Sequence, residues 1–323
     1  MLERTQELIP KIASARARSV GIPCALPIRS ELAPSGRRDI WRAKAVARAD
    51  DPRGSALSDG IPARPFPVQA ADRVVLLTRD CDVGRIAAST LAARFPGLAV
   101  IVEDPVSRLS LLRGRVKRLG LLHVTGQLGF MIFQRIQQRA AGARIAQIAN
   151  ATGMNARWPL DRAPIRVRSV NALECTEHLR RLDPRVILVV GTRIIGKNVL
   201  RTFDVPFVNY HAGITPKYRG AHGGYWAKVA GDAANFGVTV HLIDAGIDTG
   251  DVLYQARLTP GAHDNYSTFP YLQLAAALPL LERAARDAIA GRLVAQKVDL
   301  PSRLWSHPTL WGYVWSGLRR GAW

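Results

Sequence analysis

The sequence predicts an α/β fold: a mostly parallel sheet with helices on both faces, followed by a helical C-terminal extension. Two observations predict it. From Arg73 the chain reads RVVLLT, then a helical pattern carrying Ile86, Leu91, Ala92 and Phe95, then LAVIVED. A strand, a helix and a strand within about 30 residues make a βαβ unit, which requires parallel strands. Further along, RVILVVG is an unbroken apolar run of strand length, the pattern of a strand buried on both faces.

The elements can be read in order. Residues 1–72 are rich in Ala, Arg, Pro and Gly and show no sustained helical or strand period, so they read as a poorly ordered leader with a short helix near Thr5–Arg16. The main folded domain is expected over 73–260, and 261–323 as a helical extension ending in a Trp- and Arg-rich tail. Pro96-Gly97 ends the first helix, and residues 106–150 look helical throughout. PIRVRSV is the next strand, NALECTEHLRRL a helix capped by Asn171, RVILVVG a strand, and Lys197–Arg201 a further helix leading to the strand PFVNY. HAGITPKYRGAHGG is a loop too long and too particular to be a mere connector. GGYWAKVAG reads as a short helix, FGVTVHLID alternates like a strand, and GIDTG turns tightly into the strand DVLYQARL. Tyr271–Ile289, with leucines at 274, 278 and 281, is an amphipathic helix despite Pro279.

Composition narrows the classes. With 48% hydrophobic and 22% charged residues in 323, the chain is not a disordered polyelectrolyte. Lys plus Arg outnumber Asp plus Glu 45 to 25, giving +20; that excess suits acidic ligands, nucleic acid or an anionic membrane and does not choose among them. Residues 1–72 hold 12 basic and 8 acidic side chains, so the excess lies elsewhere. Cys24, Cys81 and Cys175 form no CxxC pair, and no His, Asp or Glu set has zinc spacing, so neither a disulfide framework nor a metal is expected. The first residues lack the basic-then-apolar order of a secretory signal. The longest uncharged runs, Leu119–Gln134 and Asn265–Leu281, fall short of the roughly 20 apolar residues a spanning helix needs. A cytoplasmic protein is expected. Neither GxGxxG nor GxxxxGK[ST] follows the first strand, where the loop is TRDCDVG, so dinucleotide binding and P-loop chemistry lose their signature.

Polar residues at strand ends are the candidates for chemistry, since ligands in open α/β sheets bind there. Asn209 and His211 close PFVNYH on one face, because strand side chains alternate. Asp248 lies in GIDTG between two glycines. No Ser or Cys sits in an elbow motif, so direct attack of an amine on an activated acyl carbon fits better than covalent acyl transfer. An amide N–H and an imidazolium can both stabilise the oxyanion of a tetrahedral intermediate, and a carboxylate beside the imidazole can raise its pKa, fix its tautomer and help relay a proton. Taken alone, Asn209, His211 and Asp248 would be ordinary strand-end and turn residues; the motifs around them decide otherwise.

Those motifs are Asn209-Tyr-His211, Gly213-Ile-Thr-Pro216-Lys-Tyr-Arg219-Gly220, Gly237-Val-Thr-Val-His241 and Asp248-Thr-Gly250-Asp-Val-Leu. In this order and spacing the chain resembles the folate-dependent formyltransferases, which act on glycinamide ribonucleotide, methionyl-tRNA or amino sugars. The resemblance is dense over 185–258 and weaker from 73. It implies a Rossmann-like formyltransferase domain that uses 10-formyltetrahydrofolate as formyl donor. It implies Asn209, His211 and Asp248 as catalytic residues. Arg193, Ile194 and Ile195 after one strand, with Asp244, Gly246 and Ile247 before the aspartate, would line the folate pocket. Thr215, Arg219 and Gly220 would shape the loop beside the acceptor amine. His241 is expected to be a hydrogen-bonded structural histidine, and His222 follows the Arg-Gly loop.

Departures from the family narrow the acceptor. TRDCDVG is not the glycine-rich phosphate loop of the ribonucleotide enzyme, and the 65 residues after Leu258 look helical, unlike the C-terminal β-barrel of the tRNA enzyme. GGYWAKVAGD resembles the sugar enzymes, so the expected partner is a small-molecule amine, an amino sugar on a nucleotide or lipid carrier. Nucleic acid is not the expected partner, and the oligomeric state stays open. The alternatives are the methionyl-tRNA or glycinamide ribonucleotide reaction, or a non-catalytic RNA-binding protein on the same fold. Residues 108–133 mix Arg and Lys with leucines, and 305–323 carry Trp305, Trp311, Trp315 and Trp323 with Arg319 and Arg320. Each stretch reads either as packed on the domain or as peripheral contact with the inner membrane surface.

Overall fold

The computed structural model describes residues 72–105, 116, 117, 119–159 and 163–323. Residues 1–71 of the expected leader, and the basic residues Arg108–Arg115, lie outside these.

In chain order the elements are β1 (Val74–Arg79), α1 (Asp82–Ala92), β2 (Ala99–Glu103), α2 (Leu121–Ala140), α3 (Gly142–Thr152), β3 (Ile165–Val167), α4 (Leu173–Leu182), β4 (Val186–Val190), α5 (Lys197–Thr202) and β5 (Phe207–His211). They continue with β6 (Arg219–Gly220), α6 (Gly223–Val229), β7 (Gly237–Leu242), β8 (Val252–Arg257), α7 (Phe269–Ile289), β9 (Leu304–Trp305) and α8 (Leu310–Arg320). Seven strands form one sheet in the order β3-β2-β1-β4-β5-β7-β8. The first five run parallel, β7 runs against them, and β8, antiparallel to β7, returns to their direction. The α/β fold with a mostly parallel sheet is borne out, including the βαβ unit of β1, α1 and β2.

Alternation along the strands builds the two faces. Val74 and Leu76 of β1 join Leu188 of β4, Ile86 and Leu91 of α1, and Leu274, Leu278 and Leu281 of α7. Val75 and Leu77 point the other way, to Ile101 of β2, Ile187 of β4 and Cys175 and Leu179 of α4. One residue of register would exchange the two sets, and because both faces are covered by helices the central strands are apolar throughout. A third, largely aromatic cluster holds α2, α6 and α8 together through Phe130, Tyr225, Tyr266 and Tyr313; the Phe130 and Tyr266 rings meet edge to face at 4.9 Å.

Three local expectations are revised. The helical stretch before 150 is divided at Ala141 into α2 and α3. Asn171 does not cap α4, whose N-cap is Ala172; its amide instead donates to the Ile194 carbonyl at 2.9 Å and accepts from the Gly196 N–H at 2.6 Å. The helix of the expected C-terminal extension, α7, shares its buried face with the main core, so 260 is no break in the hydrophobic interior. Pro279 lies on the exposed side of α7, where water can meet the carbonyl its ring leaves unbonded. Among the described residues no helix is long and apolar enough to cross a membrane.

One buried hydroxyl fixes the long loop after β5. Thr239 of β7, fully buried, donates to the Gly213 carbonyl at 2.8 Å and accepts from the Thr215 N–H at 3.0 Å and the Gln255 amide at 3.1 Å. Thr239→Val keeps the shape and strands these partners, at a cost of about 1–3 kcal/mol for each buried group left unmade. Urea denaturation is expected to show a loss of about 2 kcal/mol against the native chain.

Candidate active site

The reversal of the sheet at β7 creates the site. β5 and β7 pair antiparallel, with Asn209 opposite His241 and His211 opposite Thr239. Directly opposed residues project to the same face, so the amide, both imidazoles and the Thr239 hydroxyl stand together. Val208, Val240 and Tyr210 take the other face and pack into the core with α1 and α7.

Asp248 comes to this face from the turn between β7 and β8. Its φ is +50°, in the left-handed region where Asp is better tolerated than most side chains. The turn doubles back so closely that a Cβ on Gly250 would lie 1.7 Å from the Leu242 carbonyl oxygen, which excludes any other residue there. The Asp248 carboxylate then collects groups from three directions. Its Oδ2 accepts from the Gly220 N–H at 2.9 Å and lies 3.3 Å from His211 Nδ1. Its Oδ1 accepts from Asn209 Nδ2 at 3.5 Å and lies 3.5 Å from His241 Nε2. Asn209, His211 and Asp248 are therefore brought to one point.

The Arg-Gly loop belongs to the same assembly. Arg219 and Gly220 form β6, paired with Leu304 and Trp305 of β9. Gly220 has φ +89°, and a Cβ there would lie 2.3 Å from the Trp305 carbonyl, so only glycine permits both the strand pairing and the N–H bond to Asp248. Arg219 Nη1 donates to the Ile247 carbonyl at 3.3 Å, tying this loop to the turn that carries Asp248. Thr215 is buried, with its main chain held by Thr239 and Gln255; it braces the loop from behind.

The electrostatics are uneven. Burial works to raise Asp248, but the His241 imidazole, the nearby His211 and the Gly220 N–H outweigh it and hold the carboxyl down at about 2. His211 moves down as well: burial disfavours its charged form, and that outweighs the help of Asp248 and of the Tyr218 carbonyl, 2.6 Å from Nε2. Burial thus works against the imidazolium expected at His211. A carbonyl oxygen only accepts, so Nε2 carries a proton toward Tyr218, and Nδ1 faces the Asp248 carboxylate at 3.3 Å. His241 Nδ1 likewise donates to the Leu242 carbonyl at 2.8 Å, leaving Nε2 to accept from Asn209 Nδ2 at 3.1 Å. Expected as a hydrogen-bonded structural histidine, His241 is buried and bonded through both ring nitrogens, and it also lies against Asp248; its place opposite Asn209 follows from the antiparallel register, which no local motif announces.

The residues expected to line a folate pocket divide. Asp244 shapes its own turn, accepting from Gly246 N–H at 2.9 Å and the Thr249 hydroxyl at 2.7 Å, and Ile247 is exposed one residue before Asp248. Arg193, Ile194 and Ile195 belong to the loop after β4. Arg193 turns inward: Nε lies 2.6 Å from the fully buried Glu103 carboxylate and Nη2 donates to the Asp104 carbonyl at 2.7 Å. Its guanidinium is consumed by the fold, since Glu103 would otherwise be a buried, uncompensated charge. Ile195 is buried and Ile194 exposed, and Asn171 clamps the loop between them and Gly196. None of these anchoring bonds reaches Asn209, His211 or Asp248. The side chain that follows the Arg-Gly loop, His222, bonds His307 at 3.0 Å and packs on Tyr266 rather than joining the site.

Comparison with known proteins follows the same segment. Residues 134–269 match the family model described as formyl transferase. A methionyl-tRNA formyltransferase from Solibacter usitatus is 31% identical over 163 residues, covering 50% of this chain and 50% of that protein. Another from Koribacter versatilis is 40% identical over 118 residues, covering 36% of this chain and 38% of that one. The chain thus spans about half, or less, of the length of these relatives. Among solved structures, glycinamide ribonucleotide transformylase 1 from Symbiobacterium toebii aligns with TM-score 0.47 and 16% identity over 75% of this chain and 96% of that one. A likely sugar N-formyltransferase from Mycobacterium tuberculosis aligns with TM-score 0.46 and 16% identity over 72% and 73%. The Asn-Tyr-His, Arg-Gly, GVTVH and Asp-Thr-Gly motifs that carry the resemblance all lie within residues 134–269, the segment that matches the formyl transferase model.

Proposed function

We propose that the chain transfers a formyl group from 10-formyltetrahydrofolate to a primary amine carried by a small molecule, with an amino sugar on a nucleotide or lipid carrier as the acceptor. The observation that carries this reading is the convergence of Asn209, His211 and the Gly220 N–H on Asp248. The reaction forms a bond between the amine nitrogen and the formyl carbon and breaks the bond from that carbon to the donor nitrogen. One proton passes from the amine to the departing nitrogen. The donor supplies the formyl carbon; the exposed Ile194 and Ile247 offer apolar surface suited to a flat heteroaromatic ring.

The protein's own groups then divide the work. Asn209 Nδ2 gives only a long bond to Asp248, 3.5 Å, so it can turn that N–H to a developing oxyanion at small cost, a donor of the kind worth roughly 2.7–4 kcal/mol. His211, neutral at rest, can take up the amine proton, and the charged imidazole so formed is stabilised by Asp248 at 3.3 Å and by the Tyr218 carbonyl. Asp248 stays ionised because its donors surround it. Arg219 and Gly220 would border the acceptor. The loop after β1 is occupied by Asp80, which pairs with Arg85 and Arg166, and offers no glycine-rich cradle for a phosphate. A second reading, formylation of methionyl-tRNA, is favoured by the names of the relatives above. It has the same chemistry and a different acceptor.

The deciding assay incubates the chain with 10-formyltetrahydrofolate and, separately, nucleotide-linked amino sugars, glycinamide ribonucleotide and charged initiator tRNA. A formylated amino sugar is the expected product, and formylated tRNA or ribonucleotide alone would replace that acceptor. His211→Ala and Asp248→Asn are each expected to lower kcat/KM about a hundredfold while circular dichroism remains native; turnover equal to wild type would remove these residues from the reaction. The pH profile has a definite sign. With His211 acting as base below its ordinary pKa of 6.5, kcat/KM is expected to rise through the acid range and to reach its plateau before neutrality. Asp248, lowered from 3.8 to about 2, contributes stability that is complete above 3.8 and disappears as pH falls through about 2. The stability gap between wild type and Asp248→Asn should therefore close over that window.

A further inference from the structure

We propose that the outer faces of α2 and α8 form a docking surface for an anionic lipid bilayer. In α2 the buried side is Val124, Gly126, Gln127 and Phe130. On the other side Leu121, Leu128, Ile132 and Ile136 recur at intervals of seven, four and four residues and are 41–67% exposed. That spacing keeps them on one line along the helix. α8 repeats the arrangement: Tyr313 and Gly317 are buried, while Trp311, Val314, Trp315 and Leu318 form an exposed stripe, Leu318 at 72%.

The two stripes are neighbours. Trp311 lies so close over Gly126 that a Cβ there would be 2.2 Å from the indole ring, and Leu310 packs on Gly129. Gln127 donates to the His307 carbonyl at 3.1 Å and Gln137 to the Tyr313 hydroxyl at 2.9 Å. Small residues on α2 thus let α8 settle close, and the half-exposed Trp311 joins one apolar stripe to the other. Large aliphatic and indole side chains gathered on adjoining helices are not a normal surface for a monomer in water.

Charge selects the occupant. Neither α2 nor α8 contains an Asp or Glu, and each carries two Arg. Exposed Lys117, Arg135, Arg139, Arg319 and Arg320 border the stripes, and Arg319 lies over the Trp315 ring at 4.1 Å. Apolar side chains at the centre, with tryptophan and arginine at the edge, match the depth profile of a bilayer interface whose headgroups are negative. An RNA surface would use the cations and leave Leu121, Ile132 and Leu318 against a charged backbone. A second copy of this chain would bring like charges together around the patch.

Docking has a consequence for the site. β9 holds the Arg219–Gly220 loop and leads directly into α8, so a bilayer engaged by α8 lies near the loop proposed to border the acceptor. The proposal itself does not depend on formyl transfer, and its readout is separate from turnover.

The full chain is sedimented with vesicles of phosphatidylcholine alone and of phosphatidylcholine mixed with phosphatidylglycerol. Binding to the mixed vesicles about tenfold or more above binding to the neutral ones is expected. Ile132→Glu combined with Trp315→Glu, at 64% and 57% exposed positions, is expected to lower it about tenfold while the circular dichroism spectrum and melting temperature hold. Failure to bind mixed vesicles, or undiminished binding by the folded variant, overturns the proposal. So does a dimer in sedimentation velocity that the same variant splits, which would assign the face to a second copy. Transfer RNA that displaces the vesicles and loses affinity in the same variant would assign it to nucleic acid.

Discussion

An ionised carboxylate that is only 14% exposed needs donors and positive partners around it, or it takes up a proton instead. Asp248 meets that condition by drawing on separate stretches of chain: the end of β5 for the Asn209 N–H and β6 for the Gly220 N–H, with the His211 and His241 rings of β5 and β7 packed beside it. Each contact constrains the element that makes it. The turn must bring Asp248 back across the sheet, which fixes glycine at 250. The Arg-Gly strand must approach with its backbone, which fixes glycine at 220. What seem from the outside to be separate motifs are solutions to one electrostatic problem.

The geometry depends equally on the reversal of strand direction at β7. Antiparallel pairing sets residues squarely opposite one another, so His241 stands across from Asn209 and Thr239 across from His211. The polar groups occupy one face of this strand pair, while Val208 and Val240 anchor the other in the core with Leu274 and Leu278 of α7. A rigid apolar layer therefore lies directly behind the polar one. Side chains that must keep their spacing to a fraction of an ångström gain from such a backing.

Much of this was legible in the sequence, for physical reasons that particular residues illustrate. RVVLLT, LAVIVED and RVILVVG announce themselves because strands buried on both faces can hardly be anything but apolar. Asn209, His211 and Asp248 were legible through the fixed spacing of the motifs around them. His241 was not, because its role comes from cross-strand register, which a linear reading cannot supply. Arg193 was expected among the residues lining a folate pocket; its guanidinium is held by Glu103, some ninety residues earlier, a long-range pairing that local sequence does not reveal. Asn171 has the right residue type and place for a helix cap, but its amide finds better partners in the loop after β4. The tail after 260 read as an appendage because amphipathicity tells that a helix is buried, not against what.

The pairing of Arg219 and Gly220 with Leu304 and Trp305 ties the middle of the chain to its last stretch. The strands of the main sheet are all made before Leu258 and α7 by Ile289, so a ribosome will have produced the core while the partner of the Arg-Gly strand is still unsynthesised. Until β9 arrives, nothing on the other edge holds the Gly220 N–H toward Asp248. The carboxylate therefore receives its backbone donor last, and a nascent chain stalled short of Leu304 would have the scaffold of the fold without the arrangement that its chemistry needs.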